Sequence, residues 1–339
     1  MPGITQTQRT LVRPLAARRP GRTGGLTMRI GIALPQVGSG IGRNEVLTAA
    51  RAAEAAAFDS VWVVDRICYP EQPRAPYPAS PDGRLPESCT RVLDPLSLLT
   101  FAAAATERIR LGTSVLVLPW YPPLLLARQL ATIDQLSGGR LALGFGTGWS
   151  PDEYEAVGVP FRERGRRADA AQAFLEAWFA GDSFSWDDEF WTVAPVRNEL
   201  RPHQQPRPPI YWAAFAPRTL DRVARLGDGW MPAGLPAAVT KTIFAQIRER
   251  AANYGRDPEA LELVIRANVL PTRRPVDKPG RMPFVGSHEQ IAEDLQAFAD
   301  IGTDELILES HGFFAGGKDV ATAIEALAEL CRSTGLSAR

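Results

Sequence analysis

No stretch of this 339-residue chain carries the ~18 consecutive apolar residues that a membrane-spanning helix needs. Net charge is missing too. The 38 basic residues are matched by 38 acidic ones, and binding to nucleic acid or a membrane surface depends on an excess of positive charge. Cysteine is scarce: Cys68, Cys89 and Cys331 show no CxxC spacing and cannot all pair, which reads as a reduced, cytoplasmic environment. The three histidines, His203, His288 and His311, form no H-x-H or HExxH pattern, so a metal-dependent hydrolase would lack its ligands and no metal site is expected. A G-x-S-x-G nucleophile elbow is absent as well. These absences leave a small molecule as the expected partner.

The chain does have an alternation of apolar runs with helical patterns. Residues 109–118 form a nearly unbroken apolar and β-branched run, as expected of a strand buried on both faces. Pro122 and Pro123 suit the first turn of a helix, and Leu124, Leu125, Leu126, Leu130, Ile133 and Leu136 recur at helical spacing after them. Ser137-Gly138-Gly139 stops that helix, and a second buried strand begins at Arg140. Further strands are expected over 29–34, 59–64, 209–213, 229–231, 261–269 and 305–309. Helices are expected over 45–57, from Asp94-Pro95 to 105, and over 164–180, 217–226, 236–254, 287–301 and 320–331. Eight strands with intervening helices predict an α/β fold, a (β/α)8 TIM barrel over 28–335 with insertions after strands.

The insertions are a Pro- and Gly-rich loop over 68–91, a β-hairpin over 183–193, and a long connection over 269–286. Residues 1–27 carry five arginines, no acid and no long apolar segment, and are read as a disordered extension outside the fold, not a secretory signal.

Barrel chemistry sits at the C-terminal ends of the strands. That rule selects Asp65-Arg66, Thr113-Ser114, Gly146-Thr147-Gly148-Trp149, Ala213-Ala214-Phe215 and His311. The glycines at 146 and 148 open a strand-to-helix turn where backbone N–H groups can meet a phosphate, although Trp149 replaces the third glycine of a dinucleotide fingerprint. Tight-turn glycine is the plainer reading of the same residues. Arg66 carries a guanidinium, which does not act as a general base; it suits an anion, or a surface ion pair. His311 is the best-placed histidine for proton transfer, with a solvated or capping histidine as the bland alternative.

The segments 105–119, 126–149 and 158–169 together resemble the luciferase-like flavin and deazaflavin oxidoreductases, especially the branch that uses coenzyme F420. Weaker matches continue through Pro209-Ile210-Tyr211-Trp212 and Gly227-Asp228-Gly229-Trp230, so the resemblance covers roughly 28–331. It implies an F420-dependent hydride transfer. The alternatives are an FMN-dependent monooxygenase fed by a separate reductase, and a flavin-binding barrel without turnover; a homodimer is a further candidate assembly. It also implies cofactor contact for Thr113, Ser114, Gly146, Thr147, Gly148, Ala213 and Ala214, and secondarily for Trp149, Arg166 and Phe215, with a non-prolyl cis peptide within Thr113-Ser114-Val115. Arg66 stands where many relatives read histidine. Gly165 with Arg166 matches the deazaflavin pattern, where FMN-using relatives often show a tyrosine for the glycine.

Overall fold

The computed structural model describes residues 28–80, 82–309 and 319–335. The expected N-terminal extension and His311 lie outside the described residues. Eight parallel strands close into a barrel: β1 (Arg29–Ala33), β2 (Ser60–Val63), β3 (Arg110–Thr113) continued by β4 (Leu116–Val117), β5 (Leu141–Gly146), β8 (Ile210–Trp212), β9 (Gly229–Trp230), β10 (Glu262–Asn268) and β13 (Glu305–Glu309). The ring closes where β3 pairs β5. Helices α1 (Arg43–Ala55), α2 (Pro95–Ala105), α3 (Pro123–Leu136), α5 (Arg164–Ala180), α6 (Pro217–Leu226), α7 (Ala237–Asn253), α8 (His288–Asp300) and α9 (Val320–Ser333) connect them, with a one-turn-and-a-half α4 (Pro151–Ala156) after β5.

Local chemistry sets the helix boundaries. Asp94 caps α2 by accepting from the Ser97 N–H at 2.7 Å, with Pro95 in the first turn. Ser287 caps α8 the same way. The expected single strand over 109–118 is corrected: it breaks after Thr113 at a cis Ser114–Val115 peptide and resumes as β4. The hairpin is also longer than expected, with β6 (Ser183–Asp187) pairing β7 (Thr192–Arg197). Phe184 and Trp186 lay one face of it on Phe174 of α5, with ring centroids 4.8 and 5.3 Å apart. The 269–286 connection contains a small parallel pair, β11 (Leu270–Pro271) and β12 (Val285–Gly286).

Strand side chains alternate between faces, so the barrel interior fills in layers. The lowest layer is polar. Glu305 is fully buried and accepts from Arg29 Nε at 2.9 Å, Arg110 Nη1 at 2.6 Å and Ser60 Oγ at 2.5 Å. Arg29 reaches on to Glu262 at 2.9 Å, and the Tyr211 hydroxyl donates to Glu262 at 2.7 Å. Burial alone would raise the Glu305 carboxyl, but the two guanidiniums and Ser60 hold it below the ordinary carboxylate range. This network joins the N-terminal ends of six strands, β1, β2, β3, β8, β10 and β13, and plugs that end of the barrel.

The middle layer is Trp62, Ala142, Tyr211, Met231, Val264 and Ile307. Trp62 dominates it, and Gly112 is its counterpart: a Cβ there would sit 2.2 Å from the indole ring. Trp62, Tyr211 and Met231 with smaller Val264, Ile307 and Ala142 therefore fill the waist of the barrel, and the site begins above them.

Candidate active site

Two residues further along each strand, the same face reaches the upper layer. Gly31 and Gly112 lie against Trp62, so Ala33 and Ser114 follow on the inner face. Ala142 leads to Gly144 and Gly146, Tyr211 to Ala213, and Met231 to Ala233. These side chains are all small. Val264 and Ile307 lead by the same count to Arg266 and Glu309, which form an ion pair at 3.0 Å. Arg266 also donates to the Ser114 carbonyl at 2.8 Å and to Asn268 at 3.3 Å. Val115 also packs on the middle layer and lies against Gly146, so the result is a low floor of small side chains and one valine, with one charged pair on one side.

The floor has an unfilled polar position. The Ser114 hydroxyl is buried and has no hydrogen-bond partner among the described residues, an arrangement that a ligand atom would relieve. Thr113, by contrast, spends its hydroxyl on the Gly144 N–H and carbonyl, both at 2.9 Å, and so ties β3 to β5. Gly146 and Gly148 are close-approach positions. A Cβ on Gly146 would meet Val115 at 2.7 Å, and Gly148 adopts φ +62° with Val117 2.8 Å from the position of its Cβ. Thr147 accepts the Tyr154 hydroxyl at 2.7 Å on its carbonyl, which orients the turn. Ala214 is buried, with its carbonyl accepting from Trp230 at 2.8 Å, whereas Phe215 is exposed at the start of α6.

The 68–91 loop and α4 build the wall above β2. Arg66 ion-pairs with buried Glu153 of α4 at 3.0 Å, and its guanidinium lies over the Trp149 ring, 5.1 Å from the centroid. Tyr77 from the loop packs against Trp149, centroid to centroid 5.4 Å. Arg74 clips the loop to Asp152, donating at 2.7 Å. Burial raises the Glu153 carboxyl, against the pull of Arg66 and the Ile67 N–H.

Asp65 is buried beside Arg66 but forms no ion pair among the described residues. One of its oxygens accepts both the Val117 N–H at 2.9 Å and the Tyr121 hydroxyl at 3.0 Å. Desolvation outweighs these bonds, and Glu153 and Asp94 add like charge, so its pKa is pushed up to about 7.

The structure thus brings Arg66, Ser114, Gly146, Thr147, Gly148, Trp149 and Ala213 to one end of the barrel. Arg166 stands apart, exposed on α5, where it pairs with Glu189 of the hairpin and lies over Phe190. Of the histidines, His203 packs against the Gly139 turn and His288 opens α8. Sequence reasoning missed Asp65 as a buried acid, Glu153 as the Arg66 partner, and the Arg266–Glu309 pair. Only the i, i+2 count along β10 and β13 could have found the last of these.

Comparison with known proteins agrees with this geometry. The luciferase-like monooxygenase family matches residues 28–277, and the chain belongs to that family. An F420-dependent glucose-6-phosphate dehydrogenase of Beutenbergia cavernae is 33% identical over 223 residues, covering 64% of this chain and 61% of its own. An FMNH2-dependent dimethylsulfone monooxygenase of Pseudomonas putida is 31% identical over 170 residues, 49% of this chain and 46% of the relative. Among solved structures, the monooxygenase RslO1 from Streptomyces bottropensis superposes with a TM-score of 0.71 at 21% identity, over 90% of this chain and 99% of that one, a likeness of fold. No described helix is long and apolar enough to cross a membrane.

Proposed function

We propose that this protein is an F420-dependent oxidoreductase that moves a hydride between the deazaflavin and a small organic substrate. The floor at the C-terminal ends of the strands carries the reading. Ala33, Ser114, Gly146, Ala213 and Ala233 leave a level surface on which a flat ring can rest, and the buried Ser114 hydroxyl offers it a hydrogen bond. Ser114, Gly146, Thr147, Gly148, Ala213 and Ala214 would hold the cofactor. The bound deazaflavin supplies the two-electron hydride chemistry. The chain's own share is to seat the ring, to keep water out with Trp149 and Tyr77, and to present the Arg66 guanidinium to negative charge.

Gly165 with Arg166 supports deazaflavin over flavin; relatives of both cofactor types match the chain. Arg166 is held in an exposed ion pair, an interaction weak enough to be exchanged for a phosphate. The test is fluorescence titration of the pure protein with oxidised F420 and, separately, with FMN at one salt concentration. F420 should bind at least tenfold more tightly. Tighter FMN binding would replace this reading with that of a flavin monooxygenase served by a reductase, and no binding of either would leave a barrel without redox function.

A further inference from the structure

Arg66 is placed for more than its one ion pair. Its side chain is nine-tenths buried, at 10% exposure. A guanidinium offers five N–H donors, yet among the described residues Nε is buried without a partner and Nη2 has only the Glu153 carboxylate before it. Glu153 faces it at 3.0 Å as a counter-charge, while the other Glu153 oxygen is taken by the Ile67 N–H at 2.9 Å. Arg266, the other guanidinium at this end of the barrel, is engaged by Ser114, Asn268 and Glu309. The spare donor, Nε, therefore belongs to Arg66, and Nη2 beside it faces only a counter-charge that an incoming anion can replace.

The surroundings narrow what they await. Trp149 covers one face of the guanidinium and Tyr77 extends the aromatic wall over the mouth. Burial raises the Tyr77 phenol, while the Arg266 and Arg66 guanidiniums pull it the other way. The two pairs balance each other, leaving no surplus of positive charge for a dianion. A planar guanidinium edge matches a carboxylate in two parallel hydrogen bonds.

The geometry points to a substrate that carries a carboxylate on a flat, apolar skeleton, the carboxylate held by Arg66 and the skeleton lying along Trp149 and Tyr77. This rests on the proposed oxidoreductase reading and names the substrate class for the same site. The anion could instead be the reduced coenzyme's own, and the test separates the two.

The protein loaded with oxidised F420 is titrated calorimetrically with benzoate, benzamide and phenyl phosphate. Benzoate should bind at least tenfold more tightly than benzamide and more tightly than phenyl phosphate. Arg66→Met should abolish the preference for benzoate over benzamide, and Arg66→Lys should keep part of it. Arg66→Met leaves Glu153 buried and unpaired, so the double variant Arg66→Met/Glu153→Gln is measured beside it with a thermal melt; it should fold and also lack the preference. Glu153→Gln alone should strengthen benzoate binding, because it removes a competing anion. A wild type that does not distinguish benzoate from benzamide, or a folded Arg66→Met/Glu153→Gln protein that still does, overturns the inference. So does a tenfold loss of affinity for reduced F420 with the benzoate preference intact, since the anion would then be the cofactor's. If FMN proves to be the cofactor, the same titrations on the FMN-loaded protein read the carboxylate preference independently.

Discussion

Asp65→Asn should stabilise this protein at alkaline pH, contrary to the usual result of altering a buried, hydrogen-bonded carboxylate. The Asp65 pKa is about 7 in the folded chain, against 3.8 for an ordinary aspartate. The folded state therefore binds this proton more tightly than the unfolded state does. Between about pH 4 and pH 7 the native protein holds the proton and the unfolded chain does not, so this group's contribution to stability falls as pH rises through that window. Roughly three pH units at ~1.36 kcal/mol each give an upper bound of about 4 kcal/mol lost by pH 8. Asparagine is neutral throughout. Its carbonyl can occupy the position of the Asp65 oxygen that accepts from Val117 and Tyr121, so both bonds survive. Urea denaturation of wild type and variant at pH 4.5 and pH 8 measures the difference. The variant should gain on the order of 2–4 kcal/mol at pH 8 and little at pH 4.5, by the same linkage. Equal stabilities at pH 8, or a variant destabilised there, would refute the reasoning and mean that Asp65 is ionised and compensated.

Two further outcomes follow from the fold. Glu305→Ala strands Arg29 and Arg110 at the barrel base and should cost about 3–5 kcal/mol in chemical denaturation; because the folded carboxyl is held low, the wild-type contribution should fade as pH drops below the ordinary glutamate range, and a loss under about 1 kcal/mol would show that the network is dispensable. Gly148→Ala forces an alanine to φ +62° against Val117; the melt should fall by the equivalent of about 1–2 kcal/mol, while F420 affinity drops at least tenfold, and an unchanged affinity would assign this glycine to the turn alone.

Much of the fold was legible because its signals are local. The Asp94-Pro95 start of α2 and the span of α5 from Arg164 to Ala180 were read directly from caps and periodicity. The break after Thr113 was not readable from periodicity in the 109–118 run, whereas the family resemblance did imply the non-prolyl cis peptide that the structure has at Ser114–Val115. Long-range pairing was invisible: Glu305 meets Arg29 and Arg110 across 276 and 195 residues, and nothing near any of them announces the others. At the site, the small residues at strand ends could be selected by the barrel rule. The partners that give Arg66 and Asp65 their character could not, because Val117 comes from β4, Tyr121 from the turn after it and Glu153 from α4.

The central claim is that a flat cofactor rests on the small-residue floor, and filling that floor tests it most directly. Ala213 continues the inner face of β8 and is partly open to solvent, so Ala213→Phe can be accommodated without breaking the core. The measurement is the F420 dissociation constant of Ala213→Phe beside that of wild type, with a thermal melt of each. The account predicts affinity at least 100-fold weaker in a protein that melts within a few degrees of wild type. A variant that binds F420 as tightly as wild type would contradict it and place the cofactor elsewhere on the barrel.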